Sequence, residues 1–151
     1  MKKVLMVCHG NICRSPMAKF IFEDLALKQG VAEQFSVDSC ATSREEIGKD
    51  MYPPAKRKLK EKAISFGLHA ARQMTHKDYE ENDVILLMDR NNEYNIQRIV
   101  ADPYHKIHRL LPGRDVADPW YTDDFERAYQ EIQEGCEYWL NRLYIKDFEE
   151  K

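Results

Sequence analysis

The stretch VLMVCHGNICRSPMAKF, residues 4–20, decides the fold. Lys2 to Val7 is short, apolar and β-leaning, and a Gly-Asn loop bounds it, so it reads as a buried strand. From Pro16 onward, Met17, Phe20, Ile21 and Leu25 fall at helical spacing. Proline suits the first turn of a helix, and Gly30 suits its end. Between strand and helix lies a tight turn holding two cysteines, an arginine and a serine.

The pattern repeats along the chain. Phe35 to Ser39 predicts a second strand, and Ser43 to Tyr52 is polar enough for a surface loop. Pro53-Pro54 opens a basic helical stretch to about Ala63. Asp83 to Met88 is an apolar run of strand length that suits a strand buried on both faces, as in a parallel sheet. Asp89 is placed to cap the helix that follows. Lys106 to Leu111 predicts a last strand, and PGRDVADPWY a loop. Phe125, Tyr129, Ile132, Cys136, Leu140 and Leu143 then form a helical stripe. Alternating strands and helices predict an α/β fold, a parallel sheet with helices on both faces. With 151 residues and no repeat or linker, one domain over 1–151 is expected.

Composition narrows the function. The net charge of −3 supplies no excess basic face, which argues against a nucleic-acid partner. No apolar run is long enough to span a bilayer, and MKKVLMVCHGN lacks a signal-peptide core, so no membrane role and a cytoplasmic home are expected. In that compartment Cys8, Cys13, Cys40 and Cys136 would be mostly reduced, and their uneven spacing is no disulfide framework.

In a parallel α/β sheet, ligands bind beyond the carboxyl ends of the strands, where residues 8–15 lie. A loop entering a helix aims several backbone N–H groups at one point, and the helix dipole adds positive potential. The loop lacks the Gly-Lys-Ser/Thr ending of a nucleotide site and carries Arg14 instead, six positions after Cys8. The reactive form of cysteine is the thiolate, and a free thiol titrates near ~8.5. Inward N–H groups, the helix N-terminus and Arg14 all favour a thiolate at Cys8, and Ser15 can add a hydroxyl hydrogen bond. The planar fork of Arg14 fits two oxygens of a phosphoryl group. The reaction this predicts is attack by sulfur on a phosphorus held by arginine and amides. Two plainer readings are weaker. Cys8, Cys13 and His9 as metal ligands lack a second cysteine pair to complete a zinc site, so no metal is expected. Cys8 as a core residue leaves the rest of C-x5-R-S unexplained.

CHGNICRS (8–15), DSCATS (38–43), HAARQ (69–73), LLMD (86–89) and DPWY (118–121) together resemble the low-molecular-weight protein tyrosine phosphatases, in the expected order over nearly the whole chain. The resemblance implies a four-stranded parallel sheet and a phosphotyrosine phosphatase, with small aryl phosphates also accepted, inorganic phosphate released, no cofactor, and a monomer. It implies that Cys8 is the nucleophile and Arg14 the phosphate clamp. Asp118 becomes the general acid for the leaving phenol, and then the base that activates water. It also implies a phosphate cradle of His9, Gly10, Asn11, Ile12, Cys13, Arg14 and Ser15. Asn11, Ser15, Ser39 and His69 support that loop, with Asn11 in a left-handed turn. Trp120 and Tyr121 form one wall of the cleft and stack on the substrate ring. Ile12 offers an apolar wall suited to that ring. Arg44 and Glu45 stand on the opposite wall, where many animal members carry an aromatic, and Arg44 is placed to meet acidic residues beside a phosphotyrosine. Cys13 is implied to trap an oxidised Cys8 as a disulfide.

Relatives with the same loop remain as alternatives. Arsenate reductases need relay cysteines, and neither Cys40 nor Cys136 suits that task. Arginine phosphatases typically carry threonine where this chain has Ile12. A phosphocysteine carrier, or a phosphate-binding module, has no need of Asp118.

Overall fold

The structure is a computed structural model and describes residues 1–144, so the last seven positions of the expected domain lie outside the described residues. Four strands form one parallel sheet: β1 (Lys2–Cys8), β2 (Phe35–Ala41), β3 (Val84–Leu87) and β4 (Ile107–Arg109). Their order is β2-β1-β3-β4. The chain moves one way from β1 to reach β2 and the other way to reach β3. The crevice of such a sheet opens where that direction reverses, at the carboxyl end of β1.

Among the described residues six α-helices accompany the strands: α1 (Arg14–Lys28), α2 (Pro53–Glu61), α3 (His76–Glu81), α4 (Arg90–Ile96), α5 (Pro119–Thr122) and α6 (Phe125–Leu143). They cover both faces of the sheet. The pleat of β1 sends Val4, Met6 and Cys8 into a core shared with α1, α2 and α6, and Leu5 and Val7 into a second core with Tyr79, Ile96 and Val100. β3 divides the same way, with Leu86 on the first side and Ile85 and Leu87 on the second. All four residues of β3 are buried, which explains its unbroken apolar run. α6 passes so close to the end of β4 that a Cβ at Gly135 would lie 3.0 Å from the Leu110 carbonyl oxygen and collide with the Leu110 side chain. No helix among the described residues is long and apolar enough to cross a membrane.

Several boundaries differ from the sequence reading. α1 begins at Arg14, two residues before the proline, so the arginine sits in its first turn. The segment 43–52 is not wholly a surface loop, because Met51 is buried. α3 is an extra helix, held by a capping box between Thr75 and Asp78. The expected loop PGRDVADPWY ends in α5, where Asp118 is the N-cap and Pro119 opens the first turn.

Candidate active site

Strand register places Cys8. Cys8 is the last residue of β1, level with Ala41 of β2, and its side chain faces the α1 side of the sheet. The loop after it turns back over the sulfur. Asn11 stands at φ +60°, the left-handed region that asparagine tolerates better than most residues, and this lets its backbone N–H reach Cys8 Sγ at 3.2 Å. Ser15 Oγ lies 3.0 Å from the same sulfur.

The carbonyls of the loop are taken up on its outer side. Those of Cys8, His9 and Ile12 accept from the N–H groups of Thr42, Ser43 and Tyr52, at 2.9, 3.1 and 2.8 Å. The Asn11 carbonyl accepts from His69 Nε2 at 2.6 Å, so that nitrogen carries the hydrogen. In a trans peptide the N–H points opposite to the C=O. The amides of His9, Gly10, Ile12 and Cys13 are therefore turned away from those partners, toward the inside of the turn.

The expected braces converge on Asn11. Its Nδ2 donates to Ser15 Oγ at 2.8 Å and to Ser39 Oγ at 3.0 Å. Its Oδ1 accepts from the Arg72 backbone N–H at 3.2 Å. Asn11 and Ser15 are fully buried and Ser39 almost so.

Arg14 is only 2% exposed. Its Nη1 donates to the Val116 carbonyl at 2.8 Å, and its Nη2 lies 2.9 Å from Asp89 Oδ2 and 3.3 Å from Asp118 Oδ2. Burial pulls the guanidinium's pKa down, but Cys8, Asp118 and Asp89 outweigh it and hold the pKa above its ordinary value. Asp89 caps α4 as expected, accepting from Asn92 N–H through Oδ1 at 2.8 Å. Its second oxygen holds the clamp, a role the sequence reading did not assign.

Burial pushes the Cys13 thiol up to about 12; the charges of Cys8 and Asp118 act the same way, against Arg14. Cys13 therefore stays a thiol at neutral pH. Cys40 and Cys136 are raised by the same desolvation and lie deep in the core.

Above the loop opens a cleft of about 410 Å³. Residues 8–14 form its floor, Trp120 and Tyr121 one side, and Glu45 and Glu46 another, with Asp89, Asn91, Asn92, Asn95 and Asp118 between. Trp120 and Tyr121 are exposed, and the Trp120 ring rests on Tyr52 with centroids 5.1 Å apart. Glu45 pairs with His9 Nε2 at 2.8 Å. Arg44, expected on this wall, is exposed and outside the lining set; Glu46 takes the place, its stem against Gly10 and its carboxylate 2.5 Å from Lys49. Of the two residues expected on this wall Glu45 lines the cleft and Arg44 does not, so the lining side chains there are both acidic. Asn91, Asn92, Asn95, Glu46 and the Val116 carbonyl were missed. The asparagines follow from Asp89 starting a helix at the crevice, a signal present in LLMD, whereas Glu46 and a carbonyl have no such signature.

The loop thus sets a sulfur under a backbone N–H, beside a buried guanidinium and two carboxylates, in one cleft. The family model for low molecular weight phosphotyrosine protein phosphatases matches residues 3–148, and the chain belongs to that family. It is 39% identical over 145 residues to the low molecular weight protein-tyrosine-phosphatase YfkJ of Bacillus subtilis, covering 91% of this chain and 92% of that one. The crystal structure of SP-PTP, a low molecular weight protein tyrosine phosphatase from Streptococcus pyogenes, superimposes with a TM-score of 0.90 at 37% identity, over 99% of this chain and 98% of that one. A drosophila arginine phosphatase also matches, with a TM-score of 0.84 at 28% identity, over 96% and 99% of the two chains.

Proposed function

We propose that this protein hydrolyses phosphotyrosine and small aryl phosphates through a phosphocysteine on Cys8. The observation that carries the reading is the grouping of Cys8 Sγ, the Arg14 guanidinium and the Asp118 carboxylate in one cleft with aromatic residues at its mouth. In the first step the Cys8 thiolate attacks phosphorus, an S–P bond forms, and the P–O bond to the phenol breaks. Protonated Asp118 gives its proton to the leaving oxygen. In the second step Asp118, now a carboxylate, takes a proton from water; the water oxygen bonds to phosphorus, the S–P bond breaks, and inorganic phosphate leaves. Arg14 and the loop amides hold the equatorial oxygens throughout. Ser15 donates to the sulfur and stabilises it as a leaving thiolate.

Ile12, at the floor of the cleft and almost buried, offers the ring an apolar contact and favours phosphotyrosine over phosphoarginine. The test is turnover of p-nitrophenyl phosphate, phosphotyrosine and phosphoarginine without added metal, comparing wild type with Cys8→Ser and Asp118→Ala. Cys8→Ser should be inactive, and Asp118→Ala should lose about 10²- to 10⁴-fold in kcat. Full activity in Cys8→Ser ends the proposal. Preference for phosphoarginine replaces the substrate, and a stable stoichiometric phosphocysteine without turnover makes the protein a carrier.

A further inference from the structure

We propose that Arg72 is a positioning residue that sets the direction of a hydrogen-bond chain ending on the Cys8 sulfur. The inference rests on the reading of residues 8–15 as the phosphoryl-binding loop. The Asn11 amide has two possible orientations, related by a flip that exchanges oxygen and nitrogen. Two of its neighbours, the hydroxyls of Ser15 and Ser39, can donate or accept and so leave the flip undecided. The third neighbour is the Arg72 backbone N–H, which can only donate, and it lies 3.2 Å from Asn11 Oδ1. That contact places Nδ2 toward the serines. Nδ2 then donates to Ser15 Oγ at 2.8 Å, and the Ser15 proton is left for Cys8 Sγ at 3.0 Å or for the more distant Cys40 carbonyl at 3.4 Å. With Asn11 reversed, Ser15 would spend its proton on the asparagine oxygen, and the sulfur would lose a donor.

The position of the Arg72 backbone is therefore decisive; main-chain bonds of Ala71 to Lys49 and of Met74 to Ala41, each at 2.8 Å, hold the strand-like segment around it, and the Arg72 side chain adds the tie that aims its N–H. Residue 72 lies outside any helix or strand. Its carbonyl accepts from Ala41 N–H at 2.8 Å. Its guanidinium forks onto Asp78, with Nη1 and Nη2 at 2.8 and 2.9 Å from the two oxygens, and Nη2 also reaches Asp38 Oδ2 at 2.9 Å. Asp78 belongs to α3 and Asp38 to β2, so the fork ties residue 72 to two elements at once. An isolated exposed pair holds little, but a planar fork shared by two carboxylates fixes direction as well as distance. Asp38 also accepts from Ser39 N–H at 2.8 Å, which closes the circuit on the second serine beside Asn11.

Two readouts test this: the affinity for inorganic phosphate, and the pH profile of kcat/KM for p-nitrophenyl phosphate. Arg72→Met keeps the aliphatic stem and the backbone N–H but removes the fork. It should weaken phosphate binding about tenfold, the scale of one hydrogen bond to a charged group, and move the acid limb of the profile to higher pH. Arg72→Lys should recover part of the loss. Combining Arg72→Met with Asn11→Ala should cost no more than Asn11→Ala alone, because both cut one chain. Wild-type phosphate affinity and pH profile in a folded Arg72→Met protein, or full additivity with Asn11→Ala, overturns the inference. Should Arg72→Met fail to fold, Asp38→Asn removes one arm and leaves the Asp78 fork; an effect of about threefold on both readouts is then expected, and none overturns the inference. A wild type that binds phosphate but cleaves no aryl ester defeats the phosphatase reading, and phosphate affinity still decides the role of Arg72.

Discussion

The floor of the cleft and its rim are built on different principles. In and beneath the floor, Asn11, Ser15 and Arg14 are buried, and partners distant in sequence hold them: Ser39, His69 and Arg72 for Asn11, the Cys40 carbonyl for Ser15, and Asp89 and the Val116 carbonyl for Arg14. At the rim, Glu45, Trp120 and Tyr121 face solvent, steadied by His9, by a ring contact with Tyr52 and by a four-residue helix. Buried polar groups are costly unless all are paired, so the floor tolerates almost no single change. The rim has no such constraint. Rate should therefore belong to the floor and substrate choice to the rim.

The sharpest way to break this contrast is Asn11→Ala. The change leaves two serine hydroxyls and one backbone N–H without their buried partner, and it removes the residue best suited to the left-handed turn. The expected loss in kcat/KM for p-nitrophenyl phosphate is about 100-fold, the scale of a small misplacement of reacting groups; steady-state kinetics at several pH values checks it, and a loss confined to thermal stability would deny the floor its role in rate. Trp120→Ala probes the rim. Aromatic pairing is worth about 0.5–1.5 kcal/mol, so KM for an aryl phosphate should rise about 2- to 10-fold with kcat unchanged. A fall in kcat with constant KM would move Trp120 into the floor. The smallest effect is expected from Cys13→Ser, which should leave turnover within about twofold of wild type, since Cys13 stays protonated and has no part in hydrolysis. Its consequence should emerge only after peroxide. On the expected redox role, peroxide would convert Cys8 to a sulfenic acid, and the Cys13 thiol would displace water from it to form a disulfide that added thiol reduces. Cys13→Ser should recover less activity after peroxide and then thiol; equal recovery would leave Cys13 a packing residue.

The same contrast marks what could be read from the sequence. The floor's reactive pair, Cys8 and Arg14, was legible because strand, loop and helix place them within eight consecutive residues. The sheet was legible from the apolar run at 83–88 and the long stripe of α6. Asp118 and the braces at Ser39 and His69 came from resemblance, since nothing local ties them to residue 8. The rim was harder. Segment 43–50 has no periodic structure, so neighbouring side chains have no fixed alternation, and Arg44 was expected where Glu46 lies. α3 and α5 were missed although each carries a signal, the Thr75–Asp78 box and the Asp118-Pro119 start. Both are too short for periodicity to register. The backbone groups of Val116 and Arg72 were beyond reach in principle, because every residue has a carbonyl and all but proline an N–H.

The bond from Arg14 to the Val116 carbonyl joins positions 102 residues apart. A chain leaves the ribosome from its amino end at about 5–20 residues per second, so Cys8 and Arg14 emerge several seconds before Val116 and Asp118. During that interval the thiol-bearing turn exists without the main-chain oxygen that accepts from its guanidinium and without the Asp118 carboxylate beside it. A product truncated before residue 116 would therefore carry the whole C-x5-R-S loop without the Val116 carbonyl and the Asp118 carboxylate that meet Arg14 in the folded chain.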